Sequence, residues 1–269
     1  MSNAQQTPYG EKMIAEKDGA IGWMIFNNPE RHNALSLDMW QAIPHILDAF
    51  EGDAEIRVIV LKGAGEKAFI SGADISEFDD KRASAEAVNQ YDKTTHEASE
   101  RLSQAQKPTI AMICGYCMGG GLGIALSCDM RIASVGSRFA IPAAKLGIGY
   151  RVSSLQPLVA LIGPAFAKEI LITARQFDSS EALAMGLINR AVAADALEDY
   201  VADYCTRIAA NAPLSMVAAK RTVEEIVRAR SDLNREFCER LVEDCFASED
   251  YAEGRRAFME KRKPRFQGS

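Results

Sequence analysis

The sequence predicts an α/β fold with a mostly parallel, doubly covered sheet and a helical C-terminal region. Three observations carry this. Short apolar runs alternate with helix-type segments up to about residue 200. The strand-like runs are continuous in Ile and Val rather than alternating, the mark of strands buried on both faces. From Leu197 onward the chain is helix-type and charge-patterned as far as Pro264. Strands that alternate with helices build a sheet with helices packed on its faces.

Residues 1–10 read as a flexible tail, 11–200 as the core and 201–269 as the helical region. "GAIGWMIFNNP" (19–29) is a strand ended by the turn signal Asn27-Asn28-Pro29. "SLDMWQAIPHILDAFEGD" (36–53) is a helix with Ser36 at its N-cap and apolar spacing near 3.6. "IRVIVLKGAG" (56–65) is a buried strand. "KAFISGADISEF" (67–78) is a short strand, a tight Ser-Gly turn and a helix starting at Asp74. Residues 80–107 are polar and helical, stopping at Lys107-Pro108, and "PTIAMICGY" (108–116) is another buried strand. Gly119 to Gly123 form a turn into a helix, "GIALSC". "DMRIAS" and "SRFAIP" are strands, and 155–172 and 179–186 are helices.

Composition narrows the function. Of 269 residues, 48% are hydrophobic and 25% charged, with a net charge of -6. That balance suits a globular protein and argues against general nucleic-acid binding. An anionic ligand would need local positive charge or backbone dipoles. The six cysteines are scattered and read as reduced. Cys114 and Cys117 form a C-x-x-C, but no second Cys or His pair accompanies it. No metal site is expected, and the pair reads as small buried residues on a strand and turn. The N-terminus lacks a signal-peptide core, and no uninterrupted apolar run approaches a membrane span, so a cytoplasmic location is expected.

Two bends share one physical feature. At Ser71-Gly72-Ala73-Asp74 and at Gly119-Gly120-Gly121 a buried strand turns sharply toward a helix. Helix N-termini carry unpaired N–H groups and partial positive charge. If the bends face one another, an N–H from each can point at one oxygen atom, forming an oxyanion hole. The alternative is a pair of packing turns.

These segments carry a family likeness. "NNPERHNALS" (27–36), "GAGEKAFISGADISEF" (63–78), "KPTIAMICGYCMGGGLGIALSCDMRIAS" (107–134), "FAIPAAKLGI" (139–148), "ILITARQFDSSEALAMGLINRAV" (170–192), "NAPLSMVAAK" (211–220) and "SEDYAEGRRAFMEKRKPRF" (248–266) resemble the crotonase, or enoyl-CoA hydratase/isomerase, superfamily. The resemblance implies a spiral of ββα units with a C-terminal helical oligomerisation region, assembled as a homotrimer or a hexamer of two trimers. It implies an acyl-CoA thioester as substrate. Coenzyme A would enter as part of that substrate, with no permanently bound cofactor. The oxyanion amides fall on Ala73 and Gly120. Ser71, Ala73, Asp74, Ile75 and Gly120 would line the coenzyme path. Glu30 and Arg31 would lie by its pantetheine and phosphate arm, and Phe258 and Lys261 would close the nucleotide pocket, often from a neighbouring subunit. Arg255, Arg256, Lys261, Arg262, Lys263 and Arg265 form a basic cluster suited to phosphates or, alternatively, a solvated helix face.

Two expected side chains are missing. Hydratases of this family use two glutamates as an acid/base pair. Their positions here are Gly123 and Ala143. Tyr150 follows "KLGIG" where methylmalonyl-CoA decarboxylases also carry a tyrosine, but that enzyme's histidine is Ala73 here. Tyr150 reads as catalytic or as a packed, hydrogen-bonded side chain. Arg151 reads as a surface residue or as a ligand for a substrate carboxylate. Glu77, Asp79 and Asp80 read as solvated, His32, His45 and His96 as isolated, and Asp129 as structural. The leading expectation is an acyl-CoA enzyme of the enoyl-CoA hydratase/isomerase family working through an oxyanion, with decarboxylase, thioesterase-like and isomerase activities open. The rivals are a malonyl-type decarboxylase, a non-catalytic acyl-CoA binder and an RNA binder through the basic cluster.

Overall fold

The computed structural model describes residues 9–74, 85–228, 243 and 246–264. Its strands are β1 (Met13–Asp18), β2 (Ile21–Phe26), β3 (Val58–Gly63), β4 (Ala68–Ile70), β5 (Thr109–Ile113), β6 (Tyr116–Met118), β7 (Met130–Ser134), β8 (Arg138–Ala140), β9 (Phe177–Asp178) and β10 (Arg190–Val192). Its helices are α1 (Leu37–Gly52), α2 (Ala85–Ser103), α3 (Gly120–Ser127), α4 (Val152–Thr173), α5 (Ser179–Ala184), α6 (Leu197–Ala209), α7 (Pro213–Arg228) and α8 (Glu249–Met259).

The strands form two sheets, ordered β1-β2-β3-β5-β7-β10 and β4-β6-β8-β9. Three successive ββα units (β3-β4-α2, β5-β6-α3 and β7-β8-α4) each give their first strand to the larger sheet and their second to the smaller. Pairing between units is parallel; β1 with β2 and β8 with β9 are antiparallel.

The larger sheet is covered on both sides, which explains its unbroken apolar strands. In β3, Ile59 and Leu61 enter the main core with Phe26, Ile46 and Phe69. Val58 and Val60 face the other way and pack with Ile110, Ile132 and the α6 residues Leu197, Val201 and Cys205. Alternate side chains of a strand point to opposite faces, so both sets must be apolar. The expected boundary at residue 200 therefore falls inside a helix that covers the sheet.

Several expectations are corrected. The helix expected to start at Asp74 would run into residues 75–84, which lie outside the described ones, and the next described helix is α2. The glycine bend starts its helix at Gly120, three residues earlier than expected. "PTIAMICGY" is two strands in two sheets, turned at Gly115, whose φ is +71°. Strands β1, β9 and β10 were not expected. Helix α4 matches a membrane span by length and composition alone, its most apolar 18-residue stretch having a mean hydropathy of 1.5, although its sequence holds no uninterrupted apolar run of that length. It is interrupted by Pro157, Pro164 and non-helical backbone at Gly163.

Candidate functional site

The site grows from the loop between β2 and α1. Asn33, buried and at φ +56°, donates through Nδ2 to the Ala64 and Ala68 carbonyls at 3.0 and 2.8 Å. That pins the loop beside β4. The loop is then stitched to the first bend: Ser71 N–H donates to His32 O, Leu35 N–H to Gly72 O and Asp74 N–H to Leu35 O. Leu35 and Ala73 form a parallel bridge. In such a bridge Leu35 bonds the neighbours of Ala73, so the N–H of Ala73 itself points away from Leu35.

In the second bend each glycine has its own physical reason. Gly119 has φ +51° and ψ −116°, which a side chain would strain. A Cβ on Gly121 would lie 2.4 Å from the Ile70 carbonyl oxygen, so only glycine lets α3 pack this closely on β4. Gly120 is the first residue of α3, where helical N–H groups have no partner within the helix.

The two bends meet. A Cβ placed on Gly119 would lie 3.9 Å from the Gly72 Cα, and one on Gly72 would lie 3.7 Å from the Met118 carbonyl oxygen. Ala73 and Gly120 line the same cavity of about 680 Å³. Arg31, Ser71, Asp74, Tyr150 and Phe258 also line it, as do Gly123 and Ala143. A Cβ on Gly123 would meet nothing within 4 Å, so the space in front of Gly123 is open. The Tyr150 hydroxyl lies 4.0 Å from where a Gly119 Cβ would be.

Other expected residues fall elsewhere. Glu30 and Lys261 are not in the cavity wall of this single chain. Ile75, Glu77, Asp79, Asp80, Arg265, Cys238 and Cys245 lie outside the described residues. Asp74 is buried and paired with Arg31, both carboxylate oxygens at 3.0 Å. In the basic cluster, Arg256 and Arg262 are committed to Glu253, and Arg262 also to Glu260. Its net positive charge is smaller than the sequence suggests. The surface reading of Arg151 is corrected. It lines the cavity, and its Nε donates to Asp92 of α2 at 3.0 Å. Asp129 accepts from Thr109 and Lys220, a structural role as expected.

The polar wall formed by α2 escaped sequence reasoning. Tyr91, Asp92, Thr95, His96 and Ser99 line the cavity. Their spacing marks one helix face, and that was the available signal. Trp40 also lines it, with its Cζ2 3.4 Å from a Cβ on Gly120. Among the described residues no group of three His, Cys, Asp or Glu could hold a metal ion. Cys114 and Cys117 are free thiols, and burial pushes the Cys117 thiol well up.

A ββα spiral in which the bends after β4 and β6 converge on one cavity defines a crotonase-fold protein. The model of the enoyl-CoA hydratase/isomerase family matches residues 16–269. The chain belongs to that family. It is 34% identical over 251 residues to the short-chain-enoyl-CoA hydratase of Clostridium acetobutylicum, covering 93% of this chain and 95% of that protein. The structure of an enoyl-CoA hydratase/carnithine racemase from Magnetospirillum magneticum is 37% identical, with TM-score 0.79 and 96% of each chain covered. Methylmalonyl-CoA decarboxylase complexed with 2S-carboxypropyl CoA is 29% identical, with TM-score 0.88, covering 96% of this chain and 99% of that one.

Proposed function

We propose that this chain binds an acyl-CoA thioester and gathers charge on the thioester oxygen between the backbone N–H groups of Ala73 and Gly120. The observation that carries the reading is the meeting of the two bends, with Gly72 and Gly119 in near contact and Ala73 and Gly120 on one cavity. A carbonyl that becomes an enolate accumulates charge on oxygen. Two fixed donors in a site that excludes water stabilise it, each by roughly 3 kcal/mol. Hydration by the glutamate pair is not its chemistry, because Gly123 and Ala143 supply no carboxylate. Coenzyme A enters with the substrate, along Arg31, Ser71 and Asp74 and out past Phe258.

A second reading is decarboxylation of a malonyl-type thioester, favoured by the Tyr150 hydroxyl beside the Gly119 bend. Loss of carbon dioxide leaves an enolate, which needs the two donors but no acid/base pair. Incubation with crotonyl-CoA, followed by enone absorbance, and with malonyl-CoA, followed by carbon dioxide release, separates the readings. Release slowed by Tyr150→Phe supports decarboxylation. Tight binding with neither reaction supports a non-catalytic binder, and no binding of any CoA thioester refutes the proposal.

The same reading includes assembly as a trimer through the C-terminal helices. Val223, Val227, Phe258 and Met259 are exposed apolar residues on α7 and α8. Light scattering on the eluted protein should give about three times the mass of one 29.4 kDa chain, or six times if trimers pair into a hexamer, and a monomer contradicts it.

A further inference from the structure

Besides Ser71, Tyr91, Tyr150, Ser153 and Ser154, the cavity wall includes the hydroxyl residues Thr95, Ser99 and Ser127, from two helices that pack against each other. Thr95 and Ser99 line it from α2, and Ser127 lines it from α3. Each hydroxyl spends its proton on a carbonyl of its own helix. Thr95 Oγ1 donates to Asp92 O at 3.0 Å, Ser99 Oγ to Thr95 O at 2.8 Å and Ser127 Oγ to Gly123 O at 3.1 Å. A hydroxyl has one donor and two lone pairs. With the proton committed, what each oxygen offers the cavity is lone pairs. Gly123, one turn before Ser127, leaves the adjoining space open.

We propose that this wall recognises a hydroxyl on the acyl chain, placed at the γ-carbon or beyond. The inference rests on the acyl-CoA reading above and names its substrate class. Three acceptors facing one space call for a donor from the ligand, which a hydroxyl supplies and an alkyl chain, an ether or a carboxylate does not. Helix α3 supplies the ruler. Gly120 begins it and Ser127 ends it, about 10 Å apart along the axis at about 1.5 Å per residue. A thioester carbonyl held at the Gly120 N–H therefore brings the more distant part of the chain to Ser127. The Arg151 guanidinium is on the same cavity, but Asp92 balances its charge, so a carboxylate gains little there.

Calorimetry on the wild-type protein tests this with matched thioesters: butyryl- and 4-hydroxybutyryl-CoA, hexanoyl- and 6-hydroxyhexanoyl-CoA, the two methoxy analogues, and succinyl-CoA. A hydroxyl thioester of at least one length should bind about five-fold more tightly than its alkyl parent, the effect of one net hydrogen bond. The methoxy analogue should show no such gain, and succinyl-CoA should bind more weakly than butyryl-CoA. Ser99→Ala and Ser127→Ala put a good helix former in a helix, so folding is retained. They should reduce the hydroxyl-to-alkyl preference toward one. A methoxy analogue equal to the alcohol, succinyl-CoA as the tightest ligand, or variants that weaken alcohol and alkyl thioesters by the same factor would overturn the proposal. Failure of every CoA thioester to bind would instead remove the acyl-CoA reading beneath it.

Discussion

Replacing Ala73 by proline deletes one N–H from the proposed pair while leaving the surrounding bonds in place. The bridge to the α1 loop uses the Gly72 carbonyl and the Asp74 N–H, each bonded to Leu35 at 2.8 Å. Neither belongs to residue 73. Gly72, which precedes the new proline, has no Cβ to clash with the ring. The change therefore acts on the donor and on the space in front of it, and the ring's Cδ takes the place of the hydrogen. Removal of one such donor costs roughly 3 kcal/mol of transition-state stabilisation, a fall of about 100- to 1,000-fold in kcat. The assay is whichever thioester reaction the wild type performs, run beside circular dichroism and a melting curve. A folded Ala73→Pro variant with a kcat within about three-fold of wild type would refute the reasoning, because one donor would then carry no differential energy.

Three further outcomes follow from the same geometry. Gly123→Glu, into open space, combined with Ala143→Glu puts a carboxylate at each of the two cavity-lining positions, and crotonyl-CoA hydration should rise by about 100-fold or more over the parent, followed as loss of enone absorbance. Gly121→Ala forces a Cβ to within 2.4 Å of the Ile70 carbonyl oxygen, so a lower urea midpoint is expected, equivalent to about 2–3 kcal/mol, and an unchanged midpoint contradicts the packing argument. The Cys128 thiol is pushed up from 9.0 to about 12 by burial, ahead of the opposing effect of Arg131. Because the folded value exceeds the unfolded one, its contribution is present below pH 9 and is lost as pH rises from 9 toward 12. Cys128→Ala should therefore flatten the fall in melting temperature across that window, and parallel curves would contradict it.

The sequence carried the larger sheet and the bends because both follow from local chemistry. Val58 to Leu61 is apolar throughout because it is buried on both faces, and Gly119 to Gly121 stand where backbone strain and close packing exclude a Cβ. Strand β1 was hidden because it is an edge strand whose exposed Glu16, Lys17 and Asp18 break the apolar run that marks a strand. The split of residues 108–116 between sheets was hidden because β5 and β6 are both apolar and one glycine turns between them. In the site, the two glycine bends were legible from the residues, while the particular positions Ala73 and Gly120 came from the family resemblance. Arg151 and the α2 face were not legible, since their places depend on how helices pack over the cavity, a long-range matter that no local pattern encodes. Thr95 and Ser99 looked like ordinary polar helix surface for the same reason.

The most direct measurement is a crystal structure with an unreactive acyl-CoA analogue bound. Its thioester oxygen is predicted to lie about 2.7–3.1 Å from both the Ala73 and Gly120 nitrogens. An oxygen bound to neither amide, or to one alone with the other turned to a protein partner, would contradict the proposed chemistry.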